Sequence, residues 1–109
     1  MTPNDLTLGI ALMCSRDGVI LEVMHDGLGI GRQELLGKTF PMTVASSSFQ
    51  KALSFLLELR EKRFIFDWEC DLSVGGNTIL THCAGLAIED RLLIWQLRRA
   101  LIFIICLKK

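Results

Sequence analysis

The sequence carries no surplus of charge. Its 12 Lys and Arg balance 12 Asp and Glu, so the formal net charge is zero. Nucleic-acid binders draw affinity from basic clusters that neutralise phosphates. No such cluster stands here, so no nucleic-acid partner is expected. Neutrality also leaves little repulsion against self-association. No C-x-x-C pair occurs among Cys14, Cys70, Cys83 and Cys106, which argues against zinc-knuckle spacing and a short secreted disulfide pattern. Reduced, mostly buried thiols of a cytoplasmic protein are expected instead. Histidine is scarce: only His25 and His82 are present. With no spaced acidic partner for them, no metal site is expected. Met1 to Ala11 lacks a basic stretch followed by an apolar one, so no secretory signal is read there. The most apolar region, residues 92–107, is interrupted by Gln96, Arg98 and Arg99. It falls far short of the ~20 apolar residues that a spanning helix needs, and no membrane span is expected.

What is present is a globular composition. Half of the 109 residues are hydrophobic and 22% are charged, enough for one domain with one modest core. Residues 1–7 read as an N-terminal tail, 8–95 as the domain, and 96–109 as an apolar C-terminal segment, either helix or strand extension. Leu8, Ile10, Leu12 and Cys14 alternate with small or apolar residues, as in a buried strand. Ser15-Arg16-Asp17-Gly18 has turn chemistry, and Val19 to Met24 completes a hairpin. Asp26 to Gly31 holds three glycines. It matches neither the Walker pattern nor G-x-G-x-x-G, and reads as a flexible connection.

Arg32 to Leu36 suits one helical turn stopped by Gly37. Ser46 to Lys62 is the clearest helix, with Ser47 and Gln50 as a capping box. Phe49, Ala52, Leu53, Leu56 and Leu59 fall on one face at helical spacing, and Phe55 and Leu57 widen the arc. Such a helix packs on a sheet. The cleanest alternation follows: Phe64, Phe66, Trp68, Cys70 and Leu72 on one face, Ile65, Asp67, Glu69 and Asp71 on the other. This predicts a half-buried antiparallel strand with an acidic solvated face. It puts Phe66 and Trp68 in the core under the long helix. Gly75-Gly76-Asn77 is a turn, Thr78 to Ala87 another strand, and Arg91 to Trp95 a fifth. Strands in runs, without β-α-β alternation, indicate an α+β fold with an antiparallel sheet.

These phrases resemble a PAS domain, the sensory box of bacterial signalling proteins such as sensor histidine kinases. Asp17-Gly18-Val19-Ile20-Leu21-Glu22-Val23 is similar to the family's opening hairpin, and Glu34-Leu35-Leu36-Gly37-Lys38-Thr39-Phe40 to the segment between its first helices. The Gly75-Gly76 turn and Cys83-Ala84-Gly85 stand where its last strands begin. The resemblance covers about Leu8 to Trp95. It implies a five-stranded antiparallel sheet with small helices and one longer helix on a face. It also implies a role in sensing a small molecule, or in dimerising, and in passing a conformational signal to an effector such as a kinase or cyclase in a longer or partner chain. The flavin subtype's cysteine motif is missing, and Ser46 to Lys62 has no histidine to ligate haem. Neither cofactor therefore transfers by motif, and the cofactor is left open.

Ligand-pocket candidates on this reading are Phe49, Leu53, Leu56, Phe64, Phe66, Trp68 and His82. They would line a cavity between sheet and long helix, large apolar walls with a polar group being what a ligand pocket shows. The alternative is an interaction module with a filled core and no ligand; the presence or absence of that cavity separates the two. The expected partner is a second copy of the chain. Leu97, Ala100, Ile104 and Leu107 recur at the spacing of a helical seam, with Leu101 beside them. No catalytic residues are read, and no enzymatic activity is expected.

Overall fold

The computed structural model describes residues 9–98. Seven strands and two helices follow in order: β1 (Gly9–Ser15), β2 (Ile20–Asp26), α1 (Arg32–Leu35), α2 (Phe49–Lys62), β3 (Phe64–Glu69), β4 (Leu72–Val74), β5 (Asn77–Ile79), β6 (Thr81–Ile88) and β7 (Arg91–Arg98). Short 3-10 turns at Phe40–Thr43 and Ser46–Ser48 precede α2. Five strands form one antiparallel sheet in the order β2-β1-β7-β6-β3, and β4 and β5 pair as a separate hairpin. This is the α+β arrangement expected, with the longer helix packed on one face.

The first hairpin follows its turn chemistry. Gly18 takes a φ of 90°, which a side chain would strain, and the Gly18 amide donates to the Ser15 carbonyl at 2.9 Å. Leu56 of α2 lies 2.8 Å from the point where a Cβ on Gly18 would stand, so the turn is also wedged against the helix. Beyond β2, the glycine-rich connection is organised rather than flexible. The Asp26 carboxylate accepts hydrogen bonds from the amides of Ile30 (3.0 Å) and Gly31 (2.9 Å). Desolvation opposes the charge there, but the amides of Gly31, Ile30, Gly29 and Leu28 prevail and hold the Asp26 carboxyl below its ordinary value.

The long helix begins later than the capping box implies. Phe49 is its first residue, Ser48 its N-cap, and no side chain caps it. The Ser48 hydroxyl is used elsewhere, accepting from the Asp71 amide at 3.0 Å. The buried stripe of α2 is Ala52, Phe55, Leu56 and Leu59, while Phe49 and Leu53 are each 37% exposed. Phe55 is the centre: its ring lies 5.7 Å from Phe40 and 6.0 Å from Trp68.

The clean alternation from Phe64 to Leu72 does not survive as one strand. Ile65 is buried, whereas Phe64 and Phe66 are 57% and 68% exposed. A bulge lies between Ile65 and Trp68 in the ladder to β6, with Asp67 at a φ of 63°. An inserted residue shifts a strand's parity by one. Before the bulge the odd residue points in; after it Trp68, Cys70 and Leu72 do. Phe66 is thereby corrected from core to surface. Trp68 stays on the helix side, half-buried, and its indole N–H donates to the Lys51 carbonyl at 2.9 Å. The acidic row is broken as well, and Asp71 accepts from the Thr81 amide at 3.2 Å. After Asp71 the chain leaves the sheet into β4, so the expected Thr78–Ala87 strand is two strands, β5 and β6. The last strand, begun at Arg91, continues past Trp95 to Arg98. Leu97, read as part of a helical seam, is a β7 residue. Ala100, Leu101, Ile104 and Leu107 lie outside the described residues.

Candidate functional site

The inner side of the sheet is closed. Ile10, Leu12, Ile94 and Cys83 are buried against α2 and the 3-10 turn that carries Phe40. At the centre, a Cβ on Gly85 would meet Leu59 at 2.7 Å and Phe55 at 3.0 Å. Only glycine lets the helix approach this closely. The space where a ligand cavity was expected is occupied by the side chains of α2. Cys14 is sealed in this layer, and burial pushes its thiol up to about 12.

Among the described residues, the open spaces are at the surface. One groove of about 350 Å³ runs along the outer flank of α2, between Phe49, Leu53 and Leu57 on one side and Pro41 and Met42 on the other. Arg60 and Asp17 stand at its end, 3.9 Å apart. Three pocket candidates, Phe49, Leu53 and Leu56, line this groove rather than an internal cavity. A second cleft of about 370 Å³ lies between α1, the Phe40–Thr43 turn and the β4–β5 hairpin, with Glu34 and Lys38 at its rim.

Among the described residues, no helix lies on the outer side of the sheet. Strand alternation sends Leu93, Trp95 and Leu97 of β7 to this side, all half-buried. The register sets Trp95 between Ala11 of β1 and Ala84 of β6, so two small residues leave the indole standing proud of its neighbours. Leu93 lies between Met13 and Leu86, and Phe64 faces Leu86 from β3. The bulge adds Phe66 and Asp67, which with His82, Trp95 and Leu97 form a shallow notch. His82 Nδ1 is hydrogen-bonded to Asp67 Oδ1. His82, a candidate for the internal pocket, is therefore an outer-face residue. So are Phe64 and Phe66, and Trp68 alone of the β3 candidates packs beneath α2. The structure thus divides the seven candidates into three places. The outer face as a unit was missed. Its only sequence signal was the Leu93-Trp95-Leu97 alternation in β7, which reads equally as a fully buried strand.

Among the described residues no helix is long and apolar enough to cross a membrane, and no group of three or more metal-ligating side chains is assembled.

No protein-family model and no curated protein matches the sequence. Solved structures do match. The chromophore-binding domain of Stigmatella aurantiaca phytochrome P1 superposes with a TM-score of 0.68 at 18% identity, covering 84% of this chain and 31% of that one. The PAS domain of the Cronobacter turicensis RpfR quorum-sensing receptor, in complex with BDSF, superposes with a TM-score of 0.68 at 12% identity, covering 84% of this chain and 93% of that one. A domain of a sensory box sensor histidine kinase/response regulator from Geobacter sulfurreducens gives 0.67 at 12%, with 83% and 82% covered. The chain thus spans about a third of the phytochrome fragment and nearly all of the RpfR domain. Its fold is the PAS fold.

Proposed function

We propose that this chain is a PAS-type sensory or regulatory module of cytoplasmic signal transduction that docks through the outer face of its sheet. Docking joins two copies of the chain and passes a conformational signal to an effector in a longer or partner chain. The reading includes no catalytic step. One observation carries it: among the described residues no helix covers the apolar face built around Trp95, while α2 packs closely on the opposite face. Aromatic residues flanked by small ones, with little charge at the centre, have the composition of an interface core. A patch this apolar is rarely left to water. Zero net charge adds no barrier to pairing like with like.

Sedimentation of the full chain at tens of micromolar tests this. A dimer is expected, and Trp95→Arg should give a folded monomer. A monomeric full chain overturns the reading. A truncation ending at Arg98 separates the sheet face from residues 99–109. It leaves β7 whole, as a cut at Leu97 would not. If the truncated chain still dimerises and Trp95→Arg does not, the interface is the sheet face.

A second reading is favoured by the groove along α2. Its apolar walls and volume of about 350 Å³ suit a small amphiphilic ligand, and the RpfR domain, of the same fold, is in complex with BDSF. Here the signal would enter beside Leu53 and Leu57, not between sheet and helix. Native mass spectrometry of protein purified from cells, followed by denaturing extraction, checks it. A copurified small molecule that is lost in Leu53→Glu supports it, and bare protein in every preparation sinks it.

A further inference from the structure

The core contains one chemical pair that the docking reading does not use. Cys70 ends the ladder between β3 and β6, its amide donating to the Thr81 carbonyl at 3.2 Å. Cys83 stands opposite Trp68 in the same ladder. Cys70 and Cys83 are thus diagonal neighbours on the inner face, both fully buried and both free thiols. The Cys83 thiol donates to the Cys70 carbonyl at 3.9 Å, and the Cys70 thiol donates to the Ser48 carbonyl at 3.8 Å.

We propose that Cys70 and Cys83 are a modification site, a dithiol that a hydroperoxide converts into an intramolecular disulfide. The surroundings distinguish the two thiols. The neighbouring Cys83 side chain, against the effect of burial, holds the Cys70 thiol below its ordinary value. Burial, and then Cys70 itself, push Cys83 up. Cys70 is therefore the attacking group and Cys83 the resolving one. The Cys70 thiolate attacks the terminal peroxide oxygen. The O–O bond breaks, and the leaving alkoxide or hydroxide takes a proton to become alcohol or water. Cys83 sulfur then attacks the sulfenic sulfur of Cys70, the S–O bond breaks, and water leaves with the Cys83 proton. Two thiols and one hydroperoxide become one disulfide, one alcohol or water, and one water.

Position gives the link a consequence. Asp71, the residue after Cys70, starts the departure of the chain into the β4–β5 hairpin, which is paired only within itself and bridged to Val44. Opening of that small hairpin is the route by which peroxide reaches Cys70, since short peripheral units open locally before the sheet does. A disulfide there ties the root of the hairpin to β6. A diagonal pair stands at or just beyond the ~7 Å Cα separation that a disulfide spans without backbone movement. The bend after Cys70, where the ladder ends, lets the backbone close the remaining gap. Gln96 is beside the pair, donating to the Cys70 carbonyl at 3.4 Å and to Thr81 Oγ1 at 3.3 Å. Its fully buried Oε1 has no partner among the described residues.

The test uses the full chain, with hydrogen peroxide as the probe, followed by alkylation under denaturing conditions and peptide mapping. The expected product has lost two hydrogens, links Cys70 to Cys83, and leaves Cys14 alkylated. Cys106→Ser should give the same link. In Cys83→Ala, oxidation should halt at a sulfenic acid on Cys70 that dimedone traps, and in Cys70→Ala the Cys83 thiol should remain reduced. Oxidation in urea should scatter into pairings that include Cys14 and Cys106. The proposal is overturned if folded protein keeps both thiols at peroxide doses that oxidise free cysteine. It is equally overturned if links to Cys106 or between chains dominate, or if the 70–83 share is no higher folded than in urea. The wild-type maps decide the matter even if an alanine variant fails to fold.

Discussion

The two faces of one sheet, built from alternate residues of the same strands, have opposite fates. On the inner face, Ile94 and Gly85 sit under α2 so tightly that a single Cβ would collide with Leu59 and Phe55. On the outer face, Trp95 and Phe66 meet nothing from the described residues but their strand neighbours. Both faces are apolar, so hydrophobicity alone does not tell a core from a docking surface. The difference is coverage. The inner face is stabilised by burial under α2, and the outer face keeps apolar area that no helix among the described residues covers. A half-buried sheet normally alternates apolar inside with polar outside; here β7 is apolar on both sides.

Four substitutions sharpen or break that contrast. The largest effect is expected from Phe55→Ala. Its ring is fully buried between Phe40 and Trp68, and removing it should cost ~3–5 kcal/mol in urea unfolding. A loss under ~1 kcal/mol would mean the inner face is not the packed one. Next is Gly85→Ala, which adds one methyl where Leu59 Cδ2 is 2.7 Å away. Overpacking of this kind costs ~1–3 kcal/mol; a neutral or stabilising result by the same titration would show that α2 has room to move and that the filled core is a soft one.

Phe66→Ala addresses the other face. The side chain is as large as Phe55 but 68% exposed, so the fold of the isolated domain should change by within ~0.5 kcal/mol. Titration at protein concentrations where Trp95→Arg is monomeric separates this from any loss of dimer. A cost comparable to Phe55→Ala would return Phe66 to the core and refute the bulge. The smallest effect concerns Asp26. Its carboxyl is held below its ordinary value by backbone amides. It therefore adds stability above the unfolded-state value of about 3.9, and that stability is lost as pH falls through the lower folded value. Wild type should exceed Asp26→Asn near neutrality, and the difference should close in acid. Parallel pH–stability curves would show that the Asp26 charge is not what organises the loop.

Much of this molecule was legible in its residues. Ser15 and Gly18 specified the first turn, and Gly37, at a φ of 82°, stops α1 as its position implied. The long helix was visible from its apolar arc, though Ser48 rather than Ser47 ends up at its N-terminus. That boundary was hidden because the Ser48 hydroxyl serves Asp71, far along the chain. Phe66 was misplaced for a related reason. Alternation counts residues, and the count is valid only until a bulge inserts one. Asp67 looks like any outward acid in the sequence. Only in the ladder to β6 does it occupy a left-handed conformation and turn toward His82.

The sequence by itself determined the first hairpin, the long helix and the antiparallel α+β class, because turn chemistry and hydrophobic period are local properties. It determined too that Cys14, Cys70 and Cys83 would be buried thiols. Tertiary structure alone decided which apolar residues are covered. It decided that α2 lies close enough on Gly85 to exclude a Cβ there, that β3 changes parity at Asp67, and that Cys70 and Cys83 become diagonal neighbours in the sheet. Each of these depends on atoms brought together from distant positions in the chain. Burial follows distance in space, and no pattern along one strand contains the position of its neighbour.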